Sequence, residues 1–67
     1  MKLGNNIKRC RFEKDDMSQE DVANSIGVTR QTVHSIEKGK FVPSTLLALK
    51  LAKYFDKPVE EIFYIIE

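Results

Sequence analysis

From Arg30 to Lys38 the chain turns six hydrogen-bonding side chains, Arg30, Gln31, Thr32, His34, Ser35 and Lys38, away from the helically spaced apolar pair Val33 and Ile36. An arginine fork fits guanine O6 and N7, and a glutamine amide fits adenine N6 and N7. Arg30 and Gln31 stand at the amino-terminal end of this helix, the end by which a recognition helix enters the major groove. They are the first candidates for base readout, and His34 and Ser35, one turn on, complete the set. Other chemistry finds no foothold. His34 is the only histidine and Cys10 the only cysteine, on different predicted helices and without metal-ligand spacing. The acidic pairs Asp15/Asp16 and Glu60/Glu61 are adjacent in sequence, so neither converges on a point; they read as turn and helix-start residues. There is no glycine-rich phosphate loop. Catalysis, a cofactor and a small-molecule ligand are not expected.

Two helices and a glycine turn must hold these residues. Val22, Ala23 and Ile26 repeat at intervals of three and four, ahead of Val28, Val33 and Ile36, so each helix has one apolar stripe. Ser18 and Asp21 form a capping-box pattern at the start of the first. Gly27 ends it where a left-handed backbone is cheap for glycine, Thr29 caps the second helix, and Gly39 closes that one. Ala23 lets the two backbones approach at a steep crossing.

Outside this pair, a helix is predicted from Asn5 or Asn6 to Lys14, anchored by Ile7, Cys10 and either Phe12 or Leu3. Asp15 and Asp16 break it. Pro43 and Ser44 introduce a fourth helix from Thr45 to about Phe55, with Leu46, Leu49, Ala52 and Tyr54 or Phe55 on its buried side. A fifth runs from Val59 to roughly Phe63. The expected fold is all-α, five short helices with the helix-turn-helix formed by the second and third.

At 67 residues there is room for one domain over 1–67, its core spanning about 5–63. Such a chain buries roughly 60% of its unfolded surface, so stability leans on close packing or on a partner subunit. A lone cysteine, no apolar signal core in MKLGNNIKRC and no run of 18 apolar residues point to a cytoplasmic protein without a membrane partner. Net charge is only +1. Residues 1–40 hold eight basic and six acidic groups, residues 41–67 three and four, so affinity for a polyanion must come from locally placed cations doubled in a dimer.

The strings MSQEDVA, IGVTRQTVHSIEKGK, PSTLLALKLAKYF and VEEIF, in that order, resemble the phage repressor and Cro helix-turn-helix family in its compact Xre-like form, from about Asn6 to Phe63. The resemblance implies a DNA-binding transcriptional regulator. It implies that Gln19 starts the second helix against a phosphate, with backbone amide and side chain donating. It also implies that Lys38, Lys40 and the loop after the third helix hold the phosphate backbone, Thr29 contributing secondarily to its capping. An Arg late in the first helix pairs with the Glu matching Glu37 in this family, which designates Arg11. Relatives usually have one residue where this chain has Asp15 and Asp16, and that difference leaves Arg9 as a substitute.

Tyr64, Ile65 and Ile66 follow a finished helix and are strand formers. They either extend that helix or form part of a twofold dimer interface, as a strand paired across the axis or as an apolar patch; we adopt the second reading. The expected partner is double-stranded DNA, bound by a homodimer at a palindromic operator to repress transcription. The competing class is an antitoxin or adaptor that uses the same fold mainly to bind a protein.

Overall fold

The computed structural model describes all residues, 1–67. Its helices are α1 (Ile7–Glu13), α2 (Gln19–Ile26), α3 (Arg30–Glu37), α4 (Thr45–Phe55) and α5 (Val59–Ile62), flanked by strands β1 (Lys2–Asn5) and β2 (Phe63–Ile66). The five expected helices are present, and a two-stranded antiparallel ribbon joins the ends of the chain. Its register pairs Lys2 with Ile66, Leu3 with Ile65, Gly4 with Tyr64 and Asn5 with Phe63. The tail is therefore a strand whose partner lies within its own chain, and it does not extend α5. The ribbon extends the packing beyond the expected span of about 5–63. Phe63 is buried, Leu3 packs against the core, and the side chains of Tyr64 and Ile66 lie over Gly4.

One core collects the apolar stripes of every helix: Ile7 and Cys10 from α1, Val22, Ala23 and Ile26 from α2, Val33 and Ile36 from α3, Leu51 and Phe55 from α4, and Ile62 with Phe63. Ile7, Val22, Val33, Ile36, Leu51 and Ile62 are at most 2% exposed. Burial of that kind is worth about 1.5–3 kcal/mol per side chain. In α4 the expected face is right at its end, where Phe55 is buried and Ala52 and Tyr54 lie against the core, and wrong at its start. Leu46 and Leu49 are 64% and 54% exposed, while Leu51 and Phe55 are buried and Leu47 and Ala48 lie against the core. TLLALKLAKYF carries apolar groups around most of its circumference, so period alone does not choose a face. Phe12, a candidate anchor, is 64% exposed, and Leu3 packs from the ribbon instead.

Local chemistry sets the element ends. Asp15 and Asp16 both adopt left-handed angles, φ 55° and 53°, and this tight reversal lets the Met17 amide donate to the Arg11 carbonyl at 2.9 Å. Asp56 ends α4 in the same region, φ 55°. The Asn5 side chain ties three elements together. Its Oδ1 accepts from the Ile7 amide at 3.2 Å, at the start of α1, and its Nδ2 donates to the Ile36 carbonyl of α3 at 2.9 Å.

Two substitutions test this backbone. Asp56→Gly removes the left-handed cost of a side chain and is expected to raise unfolding free energy by up to about 1 kcal/mol. Gly4→Ala is expected to lower it by about 1–3 kcal/mol, the usual cost of overpacking. The new Cβ would lie 2.7 Å from Tyr64 Cζ and 2.9 Å from Ile66 Cδ1. Chemical denaturation reads both; a Gly4→Ala chain of unchanged stability would show that the ribbon yields freely.

Candidate nucleic-acid interface

The geometry of α2 and α3 begins with their caps. Ser18 Oγ accepts from the Asp21 amide at 3.0 Å, and the Asp21 carboxylate accepts from the Ser18 amide at 3.1 Å, a complete capping box. Gly27 turns the chain at φ 77°, and the Val28 amide returns to the Ala23 carbonyl at 3.0 Å. Thr29 Oγ1 then caps α3 by accepting from the Thr32 amide at 3.2 Å, and lies 3.0 Å from the Thr32 hydroxyl. With that hydroxyl engaged, Thr29 is first a cap. Ala23 is 1% exposed, as close contact between the two helices requires.

Glu37 gathers the other side of the motif. Arg11 meets it in a two-pronged pair, Nε to Oε2 at 2.8 Å and Nη2 to Oε1 at 3.1 Å, while Arg11 Nη1 donates to the Met17 carbonyl at 2.9 Å. The side chains are only 15% and 8% exposed. Arg9 does not substitute for Arg11; it pairs with Glu13 at 3.4 Å. Gln19 Nε2 donates to Glu37 Oε1 at 3.2 Å and lies 3.4 Å from His34 Nδ1. A carboxylate can only accept, so the Gln19 amide must present its NH2 group to it. The same NH2 group faces His34 Nδ1. The Gln19 side chain is thus turned inward here, and its backbone amide stands at the free amino-terminal end of α2.

Arg30 and Gln31 lie exposed in the first turn of α3, and His34 and Ser35 are half-buried behind them. Gln31, Ser35 and Lys40 meet around a shallow depression of about 310 Å³ that Thr29, Thr32 and Phe41 also line. Phe41 is the one lining residue not among those expected on this surface. Thr32 was legible from its spacing of three residues to Ser35; Phe41 comes from the following loop and had no such signal. Lys38 and Lys40 are exposed beside α3. The ion pairs of the chain use Arg9, Arg11 and Lys57, which leaves Arg30, Lys38 and Lys40 unneutralised on this side.

A family model described as Helix-turn-helix, HTH_3, matches residues 7–62. This chain belongs to the helix-turn-helix family. The HTH-type transcriptional regulator YgzD of Bacillus subtilis (strain 168) is 48% identical over 67 residues, 97% of each chain. Control protein C.MunI of Mycoplasma sp is 36% identical over 67 residues, covering 100% of this chain and 90% of that one. The cryptic phage CTXphi transcriptional repressor RstR of Vibrio cholerae is 41% identical over 56 residues, 84% of this chain and 50% of RstR. Helix-turn-helix transcriptional regulators bind DNA and are not enzymes, and no helix of this chain is long and apolar enough to cross a membrane.

Away from the helix-turn-helix surface, titratable groups have structural settings. Burial pushes the Cys10 thiol up, against the pull of Lys57, so it stays protonated at neutral pH. Its sulfur is a packing atom. Glu13, hydrogen-bonded to Lys57, has its carboxyl held below the usual range. No group of three His, Cys, Asp or Glu residues is placed to hold a metal ion.

The Arg11–Glu37 pair gives a test of what holds the motif. Arg11→Met and Glu37→Gln are each expected to destabilise the fold by on the order of 3 kcal/mol, because each leaves a desolvated charge unpaired. The double variant should cost less than the sum of the two. Additive effects in a denaturation double-mutant cycle would show that the two charges do not sense each other.

Proposed function

We propose that the chain, as one DNA-binding domain over residues 1–67, is a sequence-specific transcriptional repressor that acts as a homodimer on a palindromic operator in the cytoplasm. The observation that carries this reading is the first turn of α3, where Arg30 and Gln31 are exposed and Arg30 enters no ion pair. Arg30 and Gln31 read base edges, with His34 and Ser35 behind them. The α2 terminus at Gln19, with Lys38 and Lys40, sets the register on phosphate, and Thr29 contributes from its cap. The description of RstR as a transcriptional repressor supports the direction of regulation, and that of C.MunI as a control protein supports a regulatory role.

The weak net charge of +1 supports a dimer, because two copies double the local cations at the DNA. So does the distribution of apolar surface. Met1, Phe41, Val42 and Ile66 surround one depression, and Leu49 borders a second; Leu3 and Phe63 line both. Tyr64, Ile65 and Ile66, the proposed dimer contact, remain 45–60% exposed even with β2 paired to β1. Two copies joined on this side would present two α3 helices about 34 Å apart, one turn of DNA.

Titration with DNA selected from a random pool, repeated across salt concentrations, tests the reading. Affinity is expected to fall steeply with salt, and the selected site to be a palindrome. Arg30→Ala and Gln31→Ala are each expected to relax preference at one base pair by about 1–3 kcal/mol with the fold intact. Binding indifferent to both salt and sequence would sink the proposal.

A further inference from the structure

The ribbon leaves one edge of β2 open, and the hydrogen-bond pattern identifies which backbone groups occupy it. In an antiparallel pair, directly opposed residues alternate between exchanging backbone hydrogen bonds and facing each other without them. The Asn6 amide donates to the Ile62 carbonyl at 2.8 Å, one step beyond the Asn5–Phe63 pair. Counting outward, Gly4–Tyr64 and Lys2–Ile66 are the bonded pairs, whereas Asn5–Phe63 and Leu3–Ile65 are not. Residues 63 and 65 therefore point their backbone groups away from β1. Phe63 agrees independently, since its amide donates to the Val59 carbonyl of α5. That leaves Ile65 as the residue of β2 whose N–H and C=O both face outward with no partner.

This edge has none of the usual protections. Its sequence, FYII, contains no charge, proline or glycine, and beyond β1 the only element in extended contact with β2 is α5, which runs into it. Tyr64, Ile65 and Ile66 are 45%, 60% and 48% exposed.

We propose that a second copy of this chain adds to the β2 edge, antiparallel, with the twofold axis at Ile65, so that the two ribbons form one four-stranded sheet, β1–β2–β2–β1. The inference rests on the homodimer reading and supplies its geometry. A twofold at this point is self-complementary: the N–H and C=O of Ile65 meet the C=O and N–H of the same residue in the other copy. The flanking positions then set Tyr64 of each copy directly opposite Ile66 of the other, an aromatic and β-branched pair of the type that stabilises antiparallel sheets. Gly4 assists, because its bare backbone lets Tyr64 and Ile66 lie against the ribbon surface. An identical edge on every copy is what this pairing needs, and the absence of charge along it removes repulsion across the axis.

Hydrogen exchange of the full chain, followed by NMR at two protein concentrations alongside sedimentation, tests the proposal. The Tyr64 and Ile66 amides are expected to be protected at both concentrations. The Ile65 amide is expected to be protected only where the dimer forms. Ile65→Pro removes a donor that the monomer fold does not use and is expected to sediment as a native-like monomer; Ile65→Lys, which places like charges on the axis, should do the same. An Ile65 amide that exchanges freely within the dimer, or dimers of normal strength from both variants, overturns this pairing while leaving a homodimer. Loss of the dimer only on changing Phe41 or Leu49 would overturn it too, moving the contact to α4 and its preceding loop. A wild-type chain that is monomeric at every concentration, free and on DNA, overturns both the pairing and the homodimer reading.

Discussion

A single carboxylate, that of Glu37, governs where α1, α2 and α3 stand relative to one another. It receives the Arg11 guanidinium from α1 and the Gln19 amide from α2 while sitting at the end of α3. Hydrophobic burial holds the three helices together but is not directional. The charge-assisted bonds add direction, because a two-pronged guanidinium contact tolerates little rotation. An acid near a polyanion would ordinarily be a liability. Here its charge is already matched, and it orders a neighbouring amide and imidazole.

The helix-turn-helix was legible because its instructions are local. Ser18 with Asp21, Gly27 and Thr29 each act within a few residues, and the apolar spacing of Val22, Ala23, Ile26, Val33 and Ile36 allows one face per helix. The Arg11–Glu37 pair was carried by family resemblance, and the structure distinguishes Arg11 from Arg9 through the two left-handed aspartates that place Met17. Three features were not legible. The facing of α4 was hidden by its excess of apolar residues. β1 was hidden because a four-residue strand has too few positions to show alternation, and its partner lies at the far end of the chain. The inward turn of Gln19 depends on residues 15 and 18 positions away that only folding brings close.

The surface divides its work by charge. Arg9, Glu13 and Lys57 engage one another on the side away from α3, in exposed pairs that contribute little to stability. Arg30, Lys38 and Lys40 remain unmatched beside the recognition helix. A chain nearly neutral overall can therefore present a positive face, since at physiological salt fields extend only about 8 Å and local arrangement outweighs the total.

The ribbon also imposes an order of events. The helix-turn-helix closes over a short stretch of chain, whereas Lys2 must find Ile66 across nearly the whole sequence. Closing so long a loop is among the slower steps available to a small protein. A folding chain can thus bring α2 and α3 together before it gains the strand edge, and before Asn5 is anchored between the ribbon and the end of α3. Pairing of the two strands, more than formation of the motif, is then the event that completes the support of the recognition helix.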